Sequence, residues 1–321
     1  MATKLSPKEY VKRDERLAGG HRLCAGCGAG IIVRQLLMGA KDHPVVVANA
    51  TGCLEVSTTI YPYTAWKDSY IHCAFENAAA TASGVEAAYK SLQRQGKVTA
   101  DYKFLSIAGD GGSYDIGIQA ISGALERGHD MVIACYDNGA YMNTGFQRSA
   151  ATPRGAWTST SPAGKVVPGK QQNRKNLTAI AVAHGIPYVA QASPHNFRDL
   201  IAKAEQAFDT PGPAFLNILS PCPRGWRSTD SESIELAKMM VESCFWPLYE
   251  VVDGEYHISY DPKKRKIPVI DWVKRQGRFK HLFKPENQHY LDEMQDTVDR
   301  EWTRLQQMAA LSAPGEDSAA E

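Results

Sequence analysis

The sequence lacks several features that define common functional classes. Its formal net charge is only +1 over 321 residues, which argues against the basic surface that nucleic-acid binding needs. Its apolar runs are too short to cross a bilayer, so neither a nucleic acid nor a membrane is expected as a partner. It contains no Gly-x-x-x-x-Gly-Lys-Ser/Thr segment for a nucleoside triphosphate and no clean Gly-x-Gly-x-x-Gly dinucleotide fingerprint.

A disulfide framework is not expected either. The seven cysteines are an odd number, and we recognise no signal peptide, so a secreted, disulfide-bonded fold is unfavourable. We therefore expect a soluble, cytoplasmic protein. Its length suits one large α/β domain with additions, and does not demand two domains.

What the sequence does contain is a pair of polar turns after two predicted buried strands. The segment 109–112 reads Gly-Asp-Gly-Gly and follows a strand predicted at 103–107, and Asn138 follows a strand predicted at 131–135. Ligands bind at the carboxyl ends of strands in open α/β sheets. Carboxylate and amide oxygens suit Mg²⁺, and glycines let backbone N–H groups approach phosphate. The pair predicts a diphosphate–Mg²⁺ site, although each dipeptide alone is also typical of an ordinary turn.

The rest of the chain alternates between predicted strands and helices. Further strands are predicted at 45–48, 188–190 and 214–219, and helices at 31–37, 77–89, 116–126, 176–183 and 196–206. This alternation predicts an α/β fold with a doubly wound, mainly parallel sheet. We expect an N-terminal arm at 1–18, a cofactor-binding domain at 19–230, a C-terminal arm for subunit contacts at 231–308 and a disordered tail at 309–321.

The strings around the two polar turns are specific. They read Tyr-Asp-Ile-Gly at 114–117, Tyr-Met-Asn-Thr-Gly at 141–145 and Thr-Pro-Arg-Gly-Ala at 152–156. With the Gly-Asp-Gly and Asn arrangement, which is similar to the thiamine diphosphate signature, they resemble the β subunit of 2-oxoacid:ferredoxin oxidoreductases. The pyruvate enzyme is the best-known member of that family, and the resemblance covers about residues 15–285.

The resemblance implies a thiamine diphosphate cofactor held with Mg²⁺. The implied cofactor-binding residues are Gly109, Asp110, Gly111, Gly112, Asn138, Ala140, Phe75 and Asn77, and the implied Mg²⁺ ligands among them are Asp110, Asn138 and the carbonyl of Ala140. Asn143 and Thr144 match positions near the thiazolium and are the implied catalytic residues. A turn-stabilising amide and a helix cap are the alternatives for these two, and for Asn77 we favour helix capping.

The second group of candidate site residues begins with a Cys-x-x-Cys motif, formed by Cys24 and Cys27. Alone it is ambiguous between zinc, a redox dithiol and an iron–sulfur cluster, and a four-cysteine shell needs two more thiolates. Cys53 and Cys222 each follow a strand-like run. The family carries a proximal [4Fe–4S] cluster on cysteines in these contexts, which implies Cys24, Cys27, Cys53 and Cys222 as ligands. Cys244 is the rival for the fourth position, and structural zinc is the alternative metal.

The implied reaction is the oxidative decarboxylation of a 2-oxoacid to an acyl-coenzyme A and CO₂. Electrons would pass through the cluster to ferredoxin or to a flavin/NAD subunit. Glu55 and Glu76 lack the context of the glutamate that activates the aminopyrimidine. The resemblance therefore implies an α subunit that supplies the pyrimidine-binding domain and this glutamate, together with γ and ferredoxin-like δ subunits. A non-redox thiamine-dependent decarboxylase or carboligase subunit and a zinc-stabilised scaffold subunit are the alternatives.

Overall fold

An eight-stranded sheet forms the centre of the computed structural model, which describes residues 5–312. Its strands are β1 Val45–Ala50, β2 Ser69–Cys73, β3 Lys103–Gly109, β4 Val132–Asp137, β5 Tyr188–Ala192, β6 Ala214–Leu219, β7 Leu248–Val252 and β8 Glu255–Tyr260. The strand order is β2-β1-β3-β4-β6-β5-β7-β8. The first six strands pair in parallel, whereas β7 and β8 are antiparallel at one edge. The predicted fold class is confirmed.

Helices cover both faces of this sheet. They are α1 Pro7–Tyr10, α2 Gly28–Gly39, α3 Cys53–Thr58, α4 Ala78–Arg94, α5 Ile118–Glu126, α6 Leu177–Val182, α7 Phe197–Asp209, α8 Pro223–Trp226, α9 Ser233–Glu242, α10 Ile270–Val273 and α11 Gln288–Leu311. Helices α2 and α7 pack on one face, and α4 and α5 on the other. None of the helices between residues 5 and 312 has the length and apolar character that a bilayer crossing requires.

The central strands are buried on both faces because helices cover them from either side. In β3, Leu105 and Ile107 point into the core beneath α2 and α7, while Phe104 and Ala108 point into the opposite core. All six residues of β4 and of β6 are buried. Their near-continuous apolar sequence is typical of parallel strands, and it explains why the sequence predicts these two elements well.

Strand β2 is absent from the sequence-based prediction, and for the region of β7 and β8, after Ser243, the sequence predicts only a hairpin-like segment. Strand β2 is only partly buried at its edge of the sheet, so its apolar signal is weak. Strands β7 and β8 lie within the segment 231–308, and β7 pairs with β5. This part of the predicted arm is therefore integral to the sheet, and its role in subunit contacts stays a prediction. In the predicted tail, α11 continues to Leu311, and residues 313–321 lie outside the described part, as do residues 1–4 of the N-terminal arm.

Candidate active site

The two predicted polar turns meet at the carboxyl edge of the sheet. Strands β3 and β4 are parallel neighbours, and Gly109 is in register with Tyr136. Asp110 and Asn138 consequently leave the sheet side by side. The backbone N–H of Asn138 donates a hydrogen bond to Asp110 Oδ1 at 3.3 Å, and both side chains are buried.

The side-chain amide of Asn138 points at two oxygen atoms. One of its terminal atoms lies 2.9 Å from Asp110 Oδ1 and 2.8 Å from the carbonyl oxygen of Ala140. If this atom is the amide nitrogen, it donates to both oxygens. If it is the amide oxygen, three oxygen atoms converge, and such an arrangement is stable only with a cation between them.

Two glycines after Asp110 allow the chain to pass between aromatic and backbone groups. A Cβ on Gly111 would lie 2.3 Å from the Tyr141 ring, and a Cβ on Gly112 would lie 3.0 Å from the carbonyl oxygen of Phe75. The chain forms a single π-helical turn here, at residues 111–115, before α5 begins. The first turn of a helix carries backbone N–H groups without intrahelical partners, which is the usual means of binding phosphate.

A cleft opens over these turns. Its lining consists of residues 51–53, Phe75, residues 109–112, Tyr136, Asn138 and residues 140–143. Phe75 and Asn143 therefore lie where a cofactor at the turns would contact them. Asp110 is the one carboxylate of the described residues in this lining, and no glutamate is among it. Glu55 instead accepts a hydrogen bond from Thr59, with its carboxylate 3.5 Å from His72 Nε2.

Two of the implied site residues, Asn77 and Thr144, are not part of the cleft lining. Asn77 occupies the N-cap position of α4, but its side chain forms no capping hydrogen bond, so the favoured capping interpretation is wrong. Its buried Oδ1 atom has no hydrogen-bond partner among residues 5–312. Thr144 is exposed outside the cleft lining, and its hydroxyl donates to the side chain of Gln147. The catalytic role of Thr144 stays a prediction.

Ser149 is a site residue that sequence reasoning missed. It lies in the polar loop after the second turn, and its hydroxyl donates to Asp110 Oδ2. Both residues are 1% exposed. The loop is held against the site, because Thr152 Oγ1 donates to the carbonyl of Gly139 at 2.7 Å. A serine inside a serine- and threonine-rich loop carries no sequence signal for this contact.

Behind the Gly-Asp-Gly-Gly turn lies a buried polar network that the sequence analysis also missed. Asp137 ends β4, accepts a hydrogen bond from the Tyr114 hydroxyl at 2.6 Å and forms an ion pair with Arg174. Its other oxygen accepts from the N–H of Gly139 at 3.0 Å. The Arg174 guanidinium also lies over the Trp246 ring, 4.4 Å from its centroid. The network fixes the turn that presents Asn138.

The electrostatics of the turn favour a cation. Burial, and after it the nearby carboxylate of Asp137, raise the pKa of Asp110 well above its usual range. Hydrogen bonds from Ser149 and from the Asn138 backbone act in the opposite direction. A divalent ion beside Asp110 would stabilise its ionised form.

The Cys-x-x-Cys knuckle docks on the segment that carries Cys222. The N–H of Gly28 donates to the carbonyl of Pro221 at 2.9 Å, and a Cβ on Gly28 would lie 2.6 Å from the Pro221 ring. Gly26 adopts a φ of +70°, and a Cβ there would lie 2.1 Å from the carbonyl oxygen of Asp230. Glycine is therefore required at both positions for the knuckle to pack this closely.

Four cysteines form one electrostatic group beside the cleft. Burial raises the pKa of the Cys53 and Cys222 thiols to about 12, and each of the two also interacts with Cys24 and Cys27. Cys53 begins α3 and lines the cleft. The buried Cys244 has Lys266, Asp261 and Asp299 as its charged neighbours, and none of the four cysteines. The structure thus groups Cys222, rather than Cys244, with the other three.

The spacing within this cysteine group does not suit a single ion. Within the described range 5–312, no three His, Cys, Asp or Glu side chains lie close enough together to bind one metal ion. A tetrahedral Zn²⁺ with bonds of about 2.3 Å needs sulfur atoms about 3.8 Å apart. A cubane cluster holds its thiolates at separate iron atoms and hence farther apart. The described residues thus offer no site for a single metal ion, and the group that the four cysteines bind stays a prediction.

Comparisons with known proteins settle the family. Residues 50–218 match the family model described as thiamine pyrophosphate enzyme, C-terminal TPP binding domain. Pyruvate synthase subunit PorB of Thermotoga maritima is 50% identical over 303 residues, which cover 93% of this chain and 93% of that protein. PorB of Methanocaldococcus jannaschii is 50% identical, over 88% of this chain and 95% of that protein. The chain belongs to the PorB family of 2-oxoacid:ferredoxin oxidoreductase β subunits.

Two further proteins are similar to this PorB-family chain. Ketoisovalerate oxidoreductase subunit VorB of Pyrococcus horikoshii is 40% identical over 95% of this chain and 98% of that protein. The structure of 2-oxoglutarate:ferredoxin oxidoreductase from Magnetococcus marinus aligns with a TM-score of 0.54 at 22% identity, covering 74% of this chain and 81% of that chain. The second likeness shows the fold alone. The predictions of the family and of an oxidoreductase acting on 2-oxoacids are confirmed.

Proposed function

We propose that this PorB-family subunit binds thiamine diphosphate with Mg²⁺ in the cleft and a [4Fe–4S] cluster on Cys24, Cys27, Cys53 and Cys222. With its partner subunits it oxidises pyruvate. Pyruvate and coenzyme A give acetyl-coenzyme A, CO₂, one proton and two electrons. Pyruvate is supported over a branched-chain 2-oxoacid because the pyruvate synthase subunits are 50% identical to this chain and the ketoisovalerate subunit is 40% identical.

The observation that carries this proposal is the close approach of the Asp110 carboxylate, the Asn138 side-chain amide and the Ala140 carbonyl at the polar turns. Distances of 2.8 and 2.9 Å separate the Asn138 amide atom from the Ala140 carbonyl and from Asp110 Oδ1. Neighbouring oxygens of an octahedral Mg²⁺ site, with bonds of 2.0–2.1 Å, lie about 2.9 Å apart. A carboxylate, an amide and a carbonyl that meet this closely beside a glycine-rich helical turn are the donor groups that a diphosphate-bound Mg²⁺ site uses.

Different residues of the cleft would hold different parts of the cofactor. Asp110, Asn138 and the Ala140 carbonyl would hold the Mg²⁺, and Gly111 and Gly112 leave room for the diphosphate. Thiamine diphosphate, when bound, supplies the nucleophilic carbon and the electron sink that decarboxylation of a 2-oxoacid needs.

Beside the two glycines, Phe75 and Tyr141 form an aromatic wall, with their ring centroids 5.7 Å apart and the Tyr141 hydroxyl donating to the Gly111 carbonyl at 3.1 Å. This wall would shield the bound cofactor from water. Asn143 lines the same cleft with an exposed amide and would hydrogen-bond the substrate. Asn77 follows Phe75 closely, and its unsatisfied Oδ1 is available to the cofactor.

The four cysteines would hold a cluster that supplies a one-electron acceptor next to the cofactor. Cys53 lies in the cleft lining itself, so the acceptor and the reacting carbon share one cleft. The lining lacks a glutamate, which supports an active site completed by an α subunit. We therefore also propose γ and ferredoxin-like δ subunits, ferredoxin or a flavin/NAD subunit as acceptor, and an inactive isolated chain.

The test uses the complex reconstituted with its partner subunits. Pyruvate- and coenzyme A-dependent reduction of an electron acceptor is expected, and it should require thiamine diphosphate and Mg²⁺. Replacement Cys222→Ala should remove the cluster's visible absorption and its iron, while Cys244→Ala should retain both. A cofactor-dependent complex without iron would show the non-redox decarboxylase or carboligase instead. Zinc without thiamine diphosphate binding would show the scaffold.

A further inference from the structure

We propose that Arg278 compensates the charge of the iron–sulfur cluster and sets its reduction potential. The inference rests on the proposed function, because it assumes a cluster on the four cysteines. It goes beyond that function by assigning a role to a residue that is no ligand, lies far from the motifs in sequence and comes from the segment 231–308.

Arg278 is buried to an unusual degree for a cation without an anionic partner. It is 2% exposed, and its Nε donates to the side-chain oxygen of Gln276 at 2.7 Å. Its guanidinium stacks on the Trp226 ring, 4.8 Å from the centroid. The structure shows no ion pair between Arg278 and a carboxylate anywhere in residues 5–312. Burial of an unpaired charge is expensive, so this position calls for an anion that the polypeptide itself does not supply.

The surroundings of the guanidinium show where that anion belongs. Trp226, on which the guanidinium stacks, donates its backbone N–H to the carbonyl of Cys222 at 2.8 Å, and the Cys222 thiol interacts with Arg278 ahead of Asp137 and Asp110. On its other side, Nη1 would lie 3.0 Å from a Cβ placed on Gly139, in the turn that presents the Mg²⁺ ligands. Arg278 therefore lies between the cysteine group and the diphosphate site.

A cluster on four thiolates is an anion, and its reduction adds one more negative charge. The electron comes from the 2-oxoacid carbon that the enzyme oxidises. A desolvated cation beside one thiolate stabilises the reduced cluster more than the oxidised one, because the attraction grows with the cluster's charge. Arg278 consequently makes the cluster easier to reduce. It acts on the cluster electrostatically and takes no part in bond making.

The test measures the midpoint potential of the cluster in the assembled complex, by a redox titration followed with electron paramagnetic resonance. In Arg278→Gln, we expect the ratio of reduced to oxidised cluster at a fixed potential to fall at least tenfold, which corresponds to 59 mV for one electron. Arg278→Lys, which keeps the charge, should shift the ratio less than Arg278→Gln. Arg275→Gln is the matched control, because Arg275 lies on the same segment but pairs with Glu232. It should leave the ratio unchanged.

Each outcome decides between charge compensation and simple packing. An iron-loaded Arg278→Gln complex with the wild-type potential would overturn the proposal. If Arg278→Gln fails to retain iron, the iron content of Arg278→Lys decides between a need for the positive charge and a need for the shape of arginine. Retention of the cluster by Arg278→Lys supports a need for the cation, and its loss from both variants shows that only the shape of arginine matters. A wild-type complex without iron would overturn the proposed function itself, and the iron analysis detects this before any potential is measured.

Discussion

Ser149→Ala is the substitution that tests the proposed Mg²⁺ site at Asp110 most directly. The hydroxyl of Ser149 donates to Asp110 Oδ2, and both residues are 1% exposed, so water cannot replace the lost donor. A hydrogen bond to a charged group contributes about 1.5–3 kcal/mol. Since about 1.4 kcal/mol corresponds to a tenfold change in affinity, the variant should bind thiamine diphosphate about 10- to 100-fold more weakly.

The loss should fall on the cofactor-bound state. Asp110 must be ionised and oriented when Mg²⁺ binds, and the serine hydroxyl favours that form of the carboxylate. The assay removes thiamine diphosphate and Mg²⁺ from the complex with a chelator and titrates thiamine diphosphate at saturating Mg²⁺. Quenching of tryptophan fluorescence reports binding, because the Trp226 indole donates to the Asn138 carbonyl at 2.7 Å.

The matched control is Ser159→Ala, which removes an exposed hydroxyl from the same loop. We expect its cofactor affinity to equal that of the wild type. If Ser149→Ala binds thiamine diphosphate within twofold of the wild type while retaining its fold, the hydroxyl does not support Asp110, and the reasoning is refuted.

Three further substitutions test other parts of the structure. Gly111→Ala places a Cβ 2.3 Å from the Tyr141 ring and should abolish thiamine diphosphate binding with an unchanged circular dichroism spectrum; adding Tyr141→Ala should restore part of the binding. Arg174→Gln leaves the buried Asp137 without its counter-ion and should lower the free energy of unfolding by about 3–5 kcal/mol in a denaturant titration, with Arg174→Lys losing less. Burial would raise the pKa of Glu86, but hydrogen bonds from its basic neighbours outweigh it and lower that pKa. The ionised carboxyl therefore stabilises the folded chain above its unfolded-state pKa, and this stabilisation is lost as the pH falls through the folded-state pKa. The thermal unfolding temperatures of the wild type and of Glu86→Gln should consequently converge in acid. A difference between the two temperatures that stays constant with pH would contradict this assignment.

Much of the fold is predictable from local patterns because its central strands are buried on both sides. Strands β3, β4 and β6 are short apolar runs that end at polar turns, so the sequence shows where each of them lies along the chain. The edge strand β2 and the β7–β8 hairpin are not visible in the same way. Strands β2 and β8 are only partly buried, and β2 and β7 are joined to the sheet by pairing with β1 and β5.

The residues of the site are likewise only partly predictable from the sequence. Asp110 and Asn138 are predictable because each follows a recognisable strand, and parallel strands end at one edge. Ser149 and Arg174 are not predictable, because the residues that they contact, Asp110 and Asp137, lie 39 and 37 residues away in sequence. Arg278 is farther still from Cys222 in sequence. A polar residue in a loop has no periodic signal, so only the folded chain shows that such a residue is buried against a carboxylate or a thiol.

The sequence by itself determined the five parallel strands at the centre of the sheet, the two polar turns and the four cysteines with their family resemblance, since these depend on short segments whose chemistry is local. The tertiary structure decided which atoms meet. It placed Cys222 rather than Cys244 with the other cysteines, left Thr144 outside the cleft and brought Arg278 between the cysteines and the turns. Such contacts join segments far apart in the chain. They arise only when burial of the apolar strands and helices closes the fold and removes water from the polar groups between them.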